Sequence, residues 1–164
     1  MILIKTAERT NMMNLYQKIR KKHQDEINSF PIYFAFGDEQ FTEIIRDLNL
    51  SENKEDDNYY GKRLFKVGAG GFILKEDSPK LSEMLKSHDQ QMKDLVEADK
   101  TGDGFIFDMF YYELCNHEYG YVYDEAIEDA LRALGYTMEQ VESDPRLKNG
   151  FDKACLAASS RECF

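Results

Sequence analysis

No stretch of this 164-residue chain approaches the roughly 18–20 consecutive apolar residues that span a bilayer. The opening MILIKTAERT has neither the apolar core nor the small-residue cleavage site of a secretory signal. Neither a membrane span nor export is expected on this reading, and the cytoplasm is the expected location. Cysteine is scarce, with Cys115, Cys155 and Cys163 and no CxxC spacing. Three cysteines without paired spacing predict free thiols in a reducing compartment. Internal repeats, low-complexity tracts and long linkers are also missing, which excludes solenoids and repeat arrays.

Catalytic signatures are missing too. VGAGGF, 67–72, has Ile73 where a dinucleotide fingerprint needs its last glycine, and no GK[ST] follows a glycine run. HExxH and clustered Cys/His sets do not occur, which argues against zinc. Cys115 and His117 stand two apart on a predicted helix and face different sides, so they form no nucleophile–base pair. His23 and His88 fall on apolar helix faces, where a satisfied buried histidine is the usual outcome. Acid pairs are abundant, but no spacing singles one out. The chain is read as a non-enzyme, and no cofactor is expected.

What is present is charge of one sign in one place. The chain carries 31 acids and 21 Lys or Arg, a net −10. Residues 99–144 hold 12 acids against Lys100 and Arg132, so this segment alone accounts for −10. Such a field repels nucleic acid and membrane surfaces and attracts basic protein surfaces. Near the start, Lys18, Arg20, Lys21 and Lys22 form a basic run, a possible contact with nucleic acid. The surrounding acids make any such binding weak and steeply salt-dependent.

The apolar fraction of 42%, with 11 Phe and 10 Tyr, supplies a core. Three-and-four spacing of Met12, Leu15, Tyr16, Ile19, His23 and Ile27 predicts a helix over 7–28. FPIYFAF, 30–36, reads as a buried strand. A helix follows over 38–49, with Phe41, Ile44, Ile45 and Leu48 inward. Residues 51–62 read as a mobile polar loop, and 64–76 as two strands around a glycine turn. Ser78 before Pro79 signals a helix start. That helix extends to Ala98, with Leu81, Met84, Leu85, His88, Met92 and Leu95 on one stripe. Helices are predicted over 105–117, from Asp124 to Gly135, from the Thr137–Gln140 capping box, and over 145–159. The expected fold is a single α+β domain over 1–164. A small antiparallel sheet of about three strands, within 30–76, packs against a helix-rich half, 78–160.

ADKTGDG, 98–104, opens like a calcium loop. Asp99, Thr101 and Asp103 occupy the first, third and fifth positions, and Gly104 the sixth. Positions nine and twelve are Phe107 and Phe110, so the bidentate glutamate is missing. The next acid of that type, Glu113, comes one turn too late. The motif is therefore read as a tight connection between helices, and no metal is expected. The same segment leads to NHEYGYVY, 116–123. There Glu118, Tyr119, Tyr121, Tyr123, Asp124, Glu125, Glu128 and Asp129 combine aromatic anchors with acids, a composition suited to a protein interface.

FDMFYYELCNHEYGY, ALRALGYT and DPRLKNGFDKAC, with PIYFAFGDEQF and VGAGGFI, resemble small acidic uncharacterised proteins. These are encoded in phages, plasmids and integrative elements of gut Firmicutes, and the resemblance covers about residues 30–155. It implies a mobile-element context, in which inhibitors of host defence, including anti-CRISPR proteins, are common. With the acidic segment, it leads to the expectation of a non-enzymatic inhibitor of anti-CRISPR type. Its partner would be a protein with a basic surface, such as the nucleic-acid channel of an RNA-guided, Cas9-like nuclease. The alternative is a calcium-binding or nucleic-acid-binding accessory protein.

Overall fold

Local signals decide most of the element boundaries. In the computed structural model, which describes residues 13–118 and 123–160, the order begins α1 (Leu15–Ser29), β1 (Tyr33–Phe34), α2 (Asp38–Asp47), α3 (Tyr60–Arg63), β2 (Leu64–Gly68) and β3 (Gly71–Leu74). It continues with α4 (Ser78–Ala98), α5 (Phe105–Asn116), α6 (Tyr123–Leu134), α7 (Met138–Ser143) and α8 (Pro145–Ser159). The fold is α+β, with a three-stranded antiparallel sheet. No helix among the described residues is long and apolar enough to cross a membrane. The chain divides into two compact units, one of residues 23–90 and one of 1–22 with 91–164.

The 23–90 unit is built on the sheet, with strand order β1-β3-β2. The expected hairpin is β2 and β3, joined through Gly68, Ala69 and Gly70 at φ +92°, +47° and +75°. Two glycines accept that hand without cost, whereas Ala69 does not. On one face of the sheet Phe72 packs against Phe41 of α2 at 5.1 Å, and Phe41 meets Tyr60 edge-on at 5.3 Å. Ile44 and Ile45 of α2 are buried beside them in sequence.

Several expectations change here. FPIYFAF is not a buried strand. Only Tyr33 and Phe34 pair, with Phe72 and Gly71, at the sheet edge, and Phe34 and Phe36 are 54% and 77% exposed. A run of aromatics fixes strand propensity, but not how many layers cover it. Residues 51–59 form a loop closed on itself. Ser51 bridges Tyr59, and the Asn53 and Asp56 side chains accept from the backbone N–H of Glu55 and Asn58. Ser78 is not a cap, because a 3₁₀ turn over Lys75–Asp77 runs straight into α4 and Ser78 is already helical. Leu85 lies off the buried stripe at 46% exposure, and Leu15 of α1 at 48%. His88 is the satisfied buried histidine anticipated: its Nε2 lies 2.5 Å from Glu26 Oε2, and its ring stacks on His23 at 3.9 Å.

In the other unit α5 is the central helix. Ile106, Phe110 and Leu114 are wholly inaccessible, with Phe105 and Met109 close behind. The α5–α8 crossing is tight because glycine sits at the contact. A Cβ on Gly150 would come within 2.6 Å of Ile106 Cγ2 and 2.7 Å of the Gly102 carbonyl. Phe110 meets Phe151 edge-on at 5.3 Å. On α6, Ala126, Ala130 and Leu131 face inward. The Thr137–Gln140 capping box is formed in both directions, and Asp144 caps α8 ahead of Pro145. Cys115, at the buried end of α5, is disulfide-bonded. This overturns the expectation of three free thiols: proximity in the fold, not sequence spacing, brings sulfurs together. Cys155 keeps its thiol, and Cys163 lies outside the described residues.

Two substitutions test these backbone constraints. Ala69→Gly relieves the left-handed position and should stabilise the protein by about 1 kcal/mol in urea melts. Gly150→Ala drives a methyl into Ile106 and a carbonyl, and should destabilise it by about 2 kcal/mol.

Candidate functional site

The three calcium-loop candidates are brought together, but around hydrogen-bond donors. Asp99 Oδ1 accepts from the N–H of Gly102 at 2.8 Å and of Thr101 at 3.3 Å, and Oδ2 from Gly104 and Ile106 at 3.0 Å each. Burial raises the Asp99 pKa, but the four N–H bonds outweigh it and hold the carboxyl below the usual aspartate range. Thr101 Oγ1 accepts from the Asp103 N–H. Asp103 accepts from Lys153 Nζ and from Asn149 Nδ2. Arg146 donates to the carbonyls of Val96 and Asp99 while paired with Asp144 at 2.8 Å. The loop thus ties the end of α4, the start of α5 and the first turns of α8 to one another. At loop position twelve, Phe110 is core rather than ligand. Among the described residues no group of three or more His, Cys, Asp or Glu is arranged to hold a metal.

A second constellation does not follow from motif reading. Glu113 is 2% exposed on α5. Its Oε1 accepts from the Tyr16 hydroxyl at 2.6 Å and from Arg20 Nη1 at 2.7 Å, both on α1. Oε2 lies 3.7 Å from His117 Nε2. The Arg20 guanidinium also sits over the rings of Tyr16 and Tyr112, at 5.7 and 5.1 Å. Burial, then the bond to Glu113, pushes the Tyr16 pKa far above that of an ordinary tyrosine, so its proton is fixed. A carboxylate held by a guanidinium and a locked phenol is an anchor for α1. The signal for it was in the sequence: Glu113 falls at i+7 from Ile106, on the inward stripe of α5, where a charge needs a partner.

Arg20 stays on the surface, with its side chain 46% exposed, although its Nη1 is committed to Glu113. Lys18, Lys21 and Lys22 are exposed, but Lys22 donates to Gln91 at 2.8 Å and Lys21 is also engaged. Long-range pairing similarly thins the acidic segment. Arg20, Lys153 and Arg146, all from outside it, neutralise Glu113, Asp103 and Asp144.

Among the predicted interface residues, Glu118 is exposed after α5 at φ +59°. Tyr119 and Tyr121 lie outside the described residues. Tyr123 opens α6 at 52% exposure. Asp124 and Glu125 are in its first turn, where acids favour the helix dipole. With Glu128 they are exposed and make no ion pair among the described residues. Asp129 differs, being half-buried and bonded to Arg132 at 2.6 Å.

Glu113 is the buried member of the pair, whereas the Arg20 side chain is 46% exposed and can take water when Glu113 is removed. Glu113→Ala should therefore cost only about 1–2 kcal/mol, and Glu113→Leu with Arg20→Met should recover most of it in a double-mutant cycle. Asp99→Asn should be less stable than the parent at pH 7. A carboxyl depressed by folding stabilises above the ordinary aspartate pKa of about 3.9 and loses that contribution as pH falls through its folded value. The stability difference between parent and variant, measured by urea melts, should therefore shrink below about pH 4.

No curated protein and no solved structure matches the chain. The model of a family of unknown function, DUF7659, matches residues 15–157, and the chain belongs to that family.

Proposed function

We propose that the chain is a non-enzymatic binding protein that engages a basic surface on a protein partner through the outer face of α6. The observation that carries this reading is the set Asp124, Glu125 and Glu128. All three are exposed and without ion pairs among the described residues, beside the half-exposed ring of Tyr123. Acids in such an array steer a basic partner, and a fixed aromatic gives the contact an anchor. Glu118 and Tyr119 and Tyr121 belong to the proposed surface by sequence. Asp129 contributes less, because Arg132 already holds it.

The finer form is an anti-CRISPR-type inhibitor from a mobile element, acting in the cytoplasm on the basic nucleic-acid channel of an RNA-guided nuclease. It is supported by the charge of the segment and the resemblance of the sequence to small acidic mobile-element proteins. The cytoplasmic part rests on the location of that target, since the Cys115 disulfide removes the thiol argument. The calcium reading has less support, because Asp99 and Asp103 face N–H and ammonium donors. The nucleic-acid reading loses Arg20 to Glu113. An enzyme reading has little support from Glu113, whose carboxylate is already bound to Arg20 and Tyr16.

The test is capture by the tagged protein from a lysate of a CRISPR-bearing host, at about 50 and about 300 mM salt. A parallel capture uses the variant Asp124→Lys/Glu125→Lys/Glu128→Lys. A stoichiometric basic nuclease should bind the parent at low salt, fall away at high salt, and associate at least about tenfold more slowly with the variant. Equal capture by both proteins would sink the α6 reading, and absence of any nuclease would sink its finer form.

A further inference from the structure

The second feature that the fold leaves unexplained is aromatic. Phe34 and Phe36 are 54% and 77% exposed, and their rings lie nearly parallel, 11° apart with centroids at 6.4 Å. The ladder places Phe65, 49% exposed, on the same side of the sheet. Phe34 pairs with Gly71 and Phe65 with Ile73, and positions 71 and 73 of β3 share a face. The opposite face is the one that Phe72 packs on α2.

These rings are held. The Ala35 N–H donates to the Gly70 carbonyl at 2.9 Å, and the Phe36 N–H donates to Gln40 Oε1 at 2.7 Å. The Phe36 ring rests on Gly70, where an added Cβ would come within 2.8 Å of Cε1. An exposed apolar patch that the backbone keeps in place is a contact surface rather than an accident of packing. Asp38 and Glu39 follow Phe36 by two and three residues, both exposed and without ion pairs among the described residues.

We propose that Phe34 and Phe36, with Asp38 and Glu39, form a recognition surface for an arginine-bearing segment of a protein partner. A guanidinium is planar and weakly hydrated. It stacks on a phenyl face while its N–H groups pair with a carboxylate. An ammonium keeps its water and stacks less well. Charge selects the class of occupant. The 23–90 unit carries 14 acids and eight Lys or Arg, so a second copy would set like charges together and a phosphate backbone would be repelled. This inference does not rest on the α6 reading, since it uses other residues in the other unit.

The experiment is an NMR titration of the full chain with a 12-residue peptide alternating arginine with serine. A lysine–serine peptide at the same ionic strength is the control. The arginine peptide should shift the ring signals of Phe34 and Phe36 and the amides of Asp38 and Glu39. It should bind at least about threefold tighter than the lysine peptide. Phe36→Ser, at a site exposed enough to leave the fold intact, should weaken it about fivefold, and Asp38→Asn/Glu39→Gln by a similar factor. The α6 triple-lysine variant should keep the Phe36 shifts. Shifts confined to α6, equal binding of the two peptides, or unchanged affinity in Phe36→Ser would each overturn the proposal. So would sedimentation showing a dimer that Phe36→Ser abolishes, because the occupant would then be a second copy.

Discussion

One carboxylate organises the helical unit. Asp99 gathers the N–H groups of Thr101, Gly102, Gly104 and Ile106 onto two oxygens, and so satisfies donors that the start of α5 would otherwise leave open. The turn can then be tight enough for Gly102 to meet the carbonyl of Arg146 and for Gly150 to meet Ile106. Arg146 holds the end of α4 from the other side. The crossing of α5 and α8, and with it the burial of Phe110 and Phe151, depends on this joint. The same residues that begin a calcium loop in one-dimensional reading here accept from N–H and ammonium donors.

Glu113 makes the comparable joint for α1. Its partner Arg20 is 93 positions away, and Tyr16 supplies a second donor. An ion pair with one buried member contributes little to net stability, but it favours one register, since no other position along α1 offers both a phenol and a guanidinium at this spacing. Together the two joints pair Asp103, Glu113 and Asp144, three of the 12 acids in 99–144, with bases from outside that segment. Within the −10 segment, Asp124, Glu125 and Glu128 on α6 and Glu139 and Glu142 on α7 remain exposed and make no ion pair among the described residues.

The surfaces on α6 and at the first turn of α2 have a common chemistry: acids beside an exposed ring. Tyr123 opens α6 between acids, and Phe36 sits two residues before Asp38. Each sets acids next to exposed aromatic surface on a different unit of the chain. Recognition is thus the common thread of the site and of the further inference.

Local order was legible in the residues. The Thr137–Gln140 capping box, the Asp144–Pro145 start of α8, the glycine hairpin and the buried stripe of α5 follow from caps, turn residues and apolar period, all of which act within a few positions. Long-range pairing was not. Arg20 reads as a surface base and Glu113 as a misplaced ligand until packing joins them, because the energy of a charge depends on what desolvates it and what faces it. FPIYFAF reads as a core strand, yet sheet order leaves it at an edge with Phe34 and Phe36 uncovered. The sequence by itself determined where most of the longer helices and the β2–β3 hairpin lie. Only the tertiary structure decided which charges are spent on one another, which aromatics stay outside, and that Cys115 is bonded, because each of these depends on neighbours that the chain order does not place.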